Sequence, residues 1–364
     1  MPDLDLDELK TIDQVIRRAV EVLDPDVHLW ASAGAGQEVT NARNVAALNR
    51  LALIPSVLRD VGDVDTHSSF AGVPLALPVV LAPVGALGLY DQGDALASAR
   101  AATELGTSMF CSILTGSSWE EVAATGPGRH FFQVYVLGDR NWLSTIIARA
   151  TEAGFAGICI TVDTPVIGRR DRSLESGFNW SLPPGGPPGL SRHGLDYSHR
   201  AKHTWDDLEW LCQQTQLPVV LKGVMTPADA TRAVSCGVAA IYVSNHGGRV
   251  VDHGISTIEV LGEIVEAVGD GADVAVDSGF TRGAEVCKAL ALGADAVGIG
   301  RLQCWGLAVG GEAGVARVLE ILRSEIGNTM ANIGCRSVAE ITADQVRWSI
   351  PAPPPTPGPG HLFD

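Results

Sequence analysis

Asp273 to Arg301 reads DVAVDSGFTRGAEVCKALALGADAVGIGR. A valine-rich apolar run leads into a glycine-containing turn, an amphipathic stretch follows (RGAEVCKALALG, 282–293), and a second apolar run closes the segment (DAVGIGR, 295–301). This is a strand–helix–strand unit. Its strands are apolar throughout instead of alternating, as parallel strands covered on both faces are. The unit recurs upstream. The strand-like runs are LPVVLAPVG (77–85), GTSMFCSIL (106–114), HFFQVYV (130–136), AGICITVDTP (156–165), LPVVLKGVM (217–225) and AAIYVSNHGG (239–248). Between them lie amphipathic segments such as DALASARAATEL (94–105), WLSTIIARATEAG (142–154) and TPADATRAVSCG (226–237). Eight such runs predict an α/β chain folded as a (β/α)8 TIM barrel. A doubly wound open sheet competes, but no GxGxxG follows the first run.

The remaining chain forms appendages to that domain. A helical N-terminal extension is expected over residues 1–61 and the barrel over 62–350, with a Pro- and Gly-rich, lid-like insertion at about 171–204 (SLPPGGPPGLSRHGLDYSHR). Residues 351–364 read as a proline-rich tail. Of the 364 residues, 46% are apolar and 19% charged, the composition of a folded chain with a large core. The formal charge is −16 with no basic run, which argues against a nucleic-acid partner and leaves an anionic ligand dependent on a few local arginines. No apolar run approaches the ~20 residues of a membrane span. The seven cysteines include no CxxC, and Cys159, Cys236 and Cys287 lie inside apolar segments; they read as buried thiols of a reducing cytoplasm. The acidic start MPDLDLDELK is unlike a signal peptide. A cytoplasmic protein is expected.

In such barrels chemistry gathers at the C-terminal strand ends. The polar residues here follow that rule: Gln133 and Tyr135 at the third, Thr161, Asp163, Arg169 and Arg170 at or beyond the fourth, and Lys222 at the fifth. Ser244, Asn245, His246 and Arg249 end the sixth, Asp277 the seventh, and Gly300 with Arg301 the eighth. So many converging charges are unfavourable without a ligand to pair with. The turns VDSGFTRGAEV and VGIGR bring backbone amides, a helix start and Arg301 to one place, the anion site that follows strands 7 and 8 in barrels. No metal-ligand pattern stands out, and a phosphorylated cofactor or substrate is implied.

FFQVYV (131–136), TVDTPVIGRR (161–170), LPVVLKGV (217–224), SNHGGRVVD (244–252), the 277–301 segment and GCRS (334–337) together resemble the FMN-dependent α-hydroxy-acid oxidases and dehydrogenases, such as glycolate oxidase, lactate oxidase and mandelate dehydrogenase. The resemblance runs over roughly residues 20–345. It implies FMN as cofactor, a small 2-hydroxy acid as substrate, oxygen or a quinone as electron acceptor, and a homotetramer. His246 then resembles the catalytic base, with Asp163 stabilising its imidazolium. Arg249 and Arg170 correspond to the pair that holds the substrate carboxylate, and Tyr135 to a hydrogen-bonding partner. Lys222 corresponds to the cation beside flavin N1–C2=O. Gln133, Thr161, Ser112 and Ser244 are implied to contact the isoalloxazine or ribityl groups. Asp277, Ser278, Gly279, Gly300 and Arg301 are implied to hold the ribityl phosphate, while Pro83, Val84 and Gly85 pass beside flavin N5.

Four positions depart from the family pattern. Where the oxidases carry a carboxylate-binding tyrosine, HLWASAGAG offers Trp30, or Leu29 in a shifted register. Leu114 replaces the bulky residue after the second strand, Thr281 replaces the first phosphate arginine with Arg282 following, and Gly85 replaces a common alanine. The expectation is FMN-dependent oxidation of a larger or aromatic, mandelate-like (S)-2-hydroxy acid to the 2-oxo acid. The alternatives are a tailoring oxidation of a natural-product or carrier-bound substrate and a flavin-dependent isomerase.

Overall fold

The computed structural model describes residues 6–178 and 198–349. The proline-rich tail and most of the proline- and glycine-rich insertion lie outside the described residues. Eight parallel strands follow in chain order: β1 (Val79–Leu81), β2 (Phe110–Ser112), β3 (Phe131–Val134), β4 (Gly157–Thr161), β5 (Val219–Val224), β6 (Ala240–Val243), β7 (Asp273–Val276) and β8 (Ala296–Ile299). Each of β2 to β7 pairs with its successor, and β8 pairs back to β1 through Ile299 and Leu81. A parallel bridge between Leu81 and Met109 closes β1 on β2. The barrel expected from the apolar runs is therefore present. The runs are apolar throughout because both faces are covered; every residue of β1, β2, β3, β4, β6 and β8 is buried.

Phe110, Phe131, Val220 and Tyr242 point into the barrel interior, with Phe110 and Phe131 stacked at 4.8 Å. A hairpin not foreseen in the sequence, Ser68–Phe70 with Val73–Leu75, inserts the fully buried Phe70 edge-on against both rings. Its turn residues Ala71 and Gly72 have φ of 47° and 80°, the left-handed pair of a tight primed turn.

The extension folds as three helices, α1 (Ile12–Val22), α2 (Pro25–Ser32) and α3 (Val39–Arg50). A Thr11/Gln14 capping box starts α1, and Ile12, Val15, Ile16 and Ala19 form its buried stripe. Asp24 caps α2 and Pro25 occupies its first turn. Helix stops at Arg50, short of the expected residue 61. There Leu51–Leu53 pairs antiparallel with Val346–Trp348, a partner almost 300 residues away that local pattern cannot reveal.

Candidate active site

The strand ends open into a cavity of about 1110 Å3. Pro83, Val84 and Gly85 wall it after β1, Leu114 after β2, Tyr135 after β3 and Arg170 beyond β4. Lys222, His246, Arg249, Asp277, Ser278, Gly279, Gly300 and Arg301 follow from β5 to β8, and Trp30 enters from α2. The structure thus brings most of the sequence-derived residues to one mouth and selects Trp30 over Leu29 as the residue facing it. Ser112, Gln133, Thr161, Ser244 and Asp163 lie behind this wall. Gln133 Nε2 donates to Thr161 Oγ1 at 2.9 Å, and the Ser112 hydroxyl accepts from Leu114 N at 3.2 Å.

His246 is held by the turn that follows β6. Residues 246–248 all have positive φ (58°, 65° and 72°), and only the last two are glycine. A left-handed histidine is strained by about 1–3 kcal/mol and persists where its surroundings over-determine it. They do so here: Ser244 Oγ accepts from His246 N at 3.1 Å, Ser278 Oγ from Gly247 N at 3.0 Å, and Asn245 Oδ1 from Gly248 N at 3.1 Å. A Cβ on Gly248 would lie 2.7 Å from Asn41 N of α3, so the extension packs directly on the turn that carries His246.

The imidazole is fixed on both sides. Its Nδ1 faces Asp163 Oδ1 and Oδ2 at 3.1 and 3.3 Å, and its Nε2 lies 3.3 Å from the Tyr135 hydroxyl. Burial alone raises the Asp163 carboxyl, but the charge and hydrogen bond of His246, with Lys222 beyond, hold it below the ordinary carboxylate value. Asp163 is therefore an anion facing the ring. Sequence reading missed what admits it: Gly223, a bulge glycine inside β5 with φ of 108°, where a Cβ would come within 2.5 Å of Asp163 Cβ.

Among the cationic groups lining the cavity, Lys222 is paired with a carboxylate while Arg170, Arg249 and Arg301 are not. Lys222 Nζ donates to Asp277 Oδ2 at 2.8 Å and to Ser244 Oγ. Burial lowers this ammonium, but Asp277 and Asp163 outweigh it and hold it above its usual value, so it stays charged. By contrast, Arg170, Arg249 and Arg301 form no ion pair among the described residues. Arg249 Nη1 donates to the carbonyls of Ala31 and Ala33 at 2.7 Å each. Burial, and then the charges of Arg170 and Arg301, push its guanidinium down to about 9. Arg301 is spread over Ala31 O, Asn41 Oδ1 and Gly247 O at 3.1, 2.9 and 3.0 Å, all neutral acceptors. In a chain of net charge −16, this local positive excess is a site built for anions.

The profile of the FMN-dependent dehydrogenases matches residues 19–348. The chain belongs to that family. It is an FMN-dependent 2-hydroxy-acid oxidoreductase acting on CH–OH. It is 42% identical to an L-lactate oxidase of Nostoc sp., covering 85% of this chain and 90% of that one. It is 41% identical to a 4-hydroxymandelate oxidase of Amycolatopsis orientalis (88% and 94%) and 38% identical to the glycolate oxidase of Spinacia oleracea (95% and 98%). Among solved structures, a mandelate oxidase with (S)-2-phenylpropionate superposes with a TM-score of 0.85 at 39% identity, over 94% of this chain and 99% of that one. No helix among the described residues is long and apolar enough to cross a membrane.

The residues present fit the FMN of this family. The cavity slightly exceeds the roughly 300–1,000 Å3 of ordinary small-molecule sites, room for a flavin and a substrate together. Just behind the wall, Gln133 Oε1 is buried with no hydrogen-bond partner among the described residues, an acceptor that an isoalloxazine N–H would satisfy. The phosphate end differs from the sequence reading. The helix start in VDSGFTRGAEV, α12 of the thirteen α-helices among the described residues (Gly283–Ala291), is already capped: Glu285 Oε2 accepts from Thr281 N and Arg282 N at 2.6 and 2.9 Å, and Glu325 Oε2 from Gly283 N at 2.7 Å. The Arg282 guanidinium turns to Glu325 at 2.8 Å and to Asp13 at 3.6 Å, so it does not replace the arginine lost at Thr281. What remains for a phosphate is Arg301, the backbone at Gly279 and Gly300, and the start of the helix Arg301–Ile333.

Proposed function

We propose that the chain oxidises an (S)-2-hydroxy acid with a large or aromatic, mandelate-like side chain to the 2-oxo acid, with His246 as the base. One observation carries this reading: the guanidinia of Arg170 and Arg249, without ion pairs among the described residues, share a cavity with His246, which Asp163 backs from behind the wall, and with the apolar Trp30, Leu114 and Phe178. The two arginines hold the substrate carboxylate, for which planar forked donors are suited. Tyr135 and His246 Nε2, 3.3 Å apart, face the hydroxyl-bearing carbon together. His246 takes the proton released by the substrate, and Asp163 balances the charge that results. FMN, when bound, would supply the redox chemistry by taking up the two electrons together with the second hydrogen nucleus, the electrons going on to oxygen or a quinone. Lys222 would then offer a fixed positive charge to the reduced ring.

Leu114 and Gly85 shape the substrate side as a pair. A Cβ on Gly85 would stand 3.0 Å from Leu114 Cβ, so the alanine common at this position would press on this leucine, which would have to give by a few tenths of an ångström. Burying about 100 Å2 of phenyl surface at about 25 cal/mol per Å2 favours mandelate over glycolate by about 2.5 kcal/mol, roughly 70-fold in kcat/KM. The test is anaerobic reduction of the holoenzyme by (S)-mandelate, L-lactate and glycolate. The flavin band should bleach with a kcat/KM for mandelate well above the other two. Faster reduction by glycolate or lactate refutes the aromatic assignment.

A further inference from the structure

Trp30 stands in the segment where the family's oxidases carry a carboxylate-binding tyrosine, and it lacks that hydroxyl. Its indole makes a different kind of contact. Arg249 Cζ lies 5.2 Å from the ring centroid and Arg170 Cζ 5.8 Å, so both carboxylate-binding arginines pack on one π system. These two cations repel each other, and Arg170 is the leading charge that lowers Arg249. The negative face of an indole is the strongest aromatic platform for a guanidinium, and its attraction grows as water is removed. The same turn supplies the rest of the holder. Arg249 Nη1 donates at 2.7 Å to Ala31 O and Ala33 O, at the C-terminal end of α2 where the helix dipole is negative. Phe178, from beyond β4, meets the indole edge-on at 6.5 Å and 61° and braces it from another side.

We propose that Trp30 is a positioning residue for the substrate carboxylate: its ring gathers Arg170 and Arg249 into one two-armed anion site, in place of the missing hydroxyl. This rests on the reading of those arginines as carboxylate ligands. A residue that only walled the pocket would need apolar area, which leucine supplies; a residue that gathers cations needs a π face. The two roles separate by ligand charge. Anionic ligands depend on the ring, and neutral ligands of the same shape do not.

The experiment measures dissociation constants of benzoylformate and of the neutral 2-hydroxy-2-phenylacetamide from the flavin difference spectrum of holoenzyme, for wild type, W30F and W30L. W30L should weaken benzoylformate about 10- to 30-fold and the amide less than threefold, with W30F between wild type and W30L for the anion. Equal weakening of both ligands, or no change in either, overturns the proposal, because the indole is then only a wall or is idle. If W30L fails to retain FMN, the same anion-to-amide ratio is read from W30F, and an unchanged ratio there is equally fatal. Wild-type enzyme that binds no 2-oxo or 2-hydroxy carboxylate at all overturns the carboxylate reading itself, and the role of Trp30 with it.

Discussion

Replacing Asp163 by asparagine keeps the shape of the side chain and removes the charge that faces His246 Nδ1 at 3.1 and 3.3 Å. At an effective dielectric of about 20, opposite unit charges about 3.2 Å apart attract by about 5 kcal/mol. The proton that His246 takes from the substrate adds positive charge opposite Asp163, so this attraction favours the later state over the ground state. The aspartate and histidine side chains are 11% and 22% exposed, so solvent screens part of the effect, and the asparagine dipole restores some orientation. A net loss of about 2–3 kcal/mol remains, which is about 30- to 150-fold in the rate of flavin reduction. A second signature separates this from misfolding. Benzoylformate affinity should hold within a few-fold, because Arg170 and Arg249 are untouched, while the rate falls. The assay is anaerobic stopped-flow reduction by (S)-mandelate beside benzoylformate binding to the same holoenzyme. A D163N enzyme that holds FMN and benzoylformate and reduces within threefold of wild type refutes the role given to Asp163.

Three further outcomes follow from the geometry. Arg249 is pushed down to about 9 by burial and by Arg170 and Arg301, so the carboxylate site loses charge as pH rises through that value; kcat/KM should fall about tenfold per unit above it, through KM, and a flat alkaline limb contradicts this. G223A places a Cβ 2.5 Å from Asp163 Cβ at φ of 108°, and should lower stability by about 1–3 kcal/mol and slow flavin reduction at least as much as D163N, checked by thermal melting and stopped flow. E325Q weakens the cap on Gly283 N and the Arg282 ion pair, 2.7 and 2.8 Å, and should lower stability by about 1–2 kcal/mol while FMN affinity stays within twofold. A large loss of FMN there would return the start of α12 to the phosphate site.

The barrel was legible because its strands are buried on both faces, which makes each an uninterrupted apolar run between glycine-rich turns. The chemistry was legible because the fold sends strand ends to one mouth, so polar residues closing apolar runs converge without further information. The failures share a cause: they depend on distant partners. The Ser68–Phe70 hairpin is two three-residue strands whose purpose shows only when Phe70 meets Phe110 and Phe131. The start of α12 looked open to an anion because Glu325, 42 residues beyond Gly283, is invisible to a local reading. Gly223 did carry a signal, a glycine inside an apolar strand, that was not turned into a bulge beside Asp163. Arg200 entered no motif, yet its guanidinium lies 5.1 Å from the Tyr135 ring centroid, carried there by the returning end of the insertion. Trp30 was read as a lost hydroxyl; that it contacts two arginines is a fact of three dimensions alone.

The central claim is that His246 removes the substrate proton from within a carboxylate site that the other residues build. It is tested by anaerobic single-turnover reduction of holoenzyme H246Q with (S)-mandelate, beside wild type. The account predicts that benzoylformate binding stays within a few-fold, since the arginines are intact, while flavin reduction slows by about 100-fold or more, the scale of positioned proton transfer. An H246Q enzyme that bleaches its flavin within tenfold of the wild-type rate would contradict it.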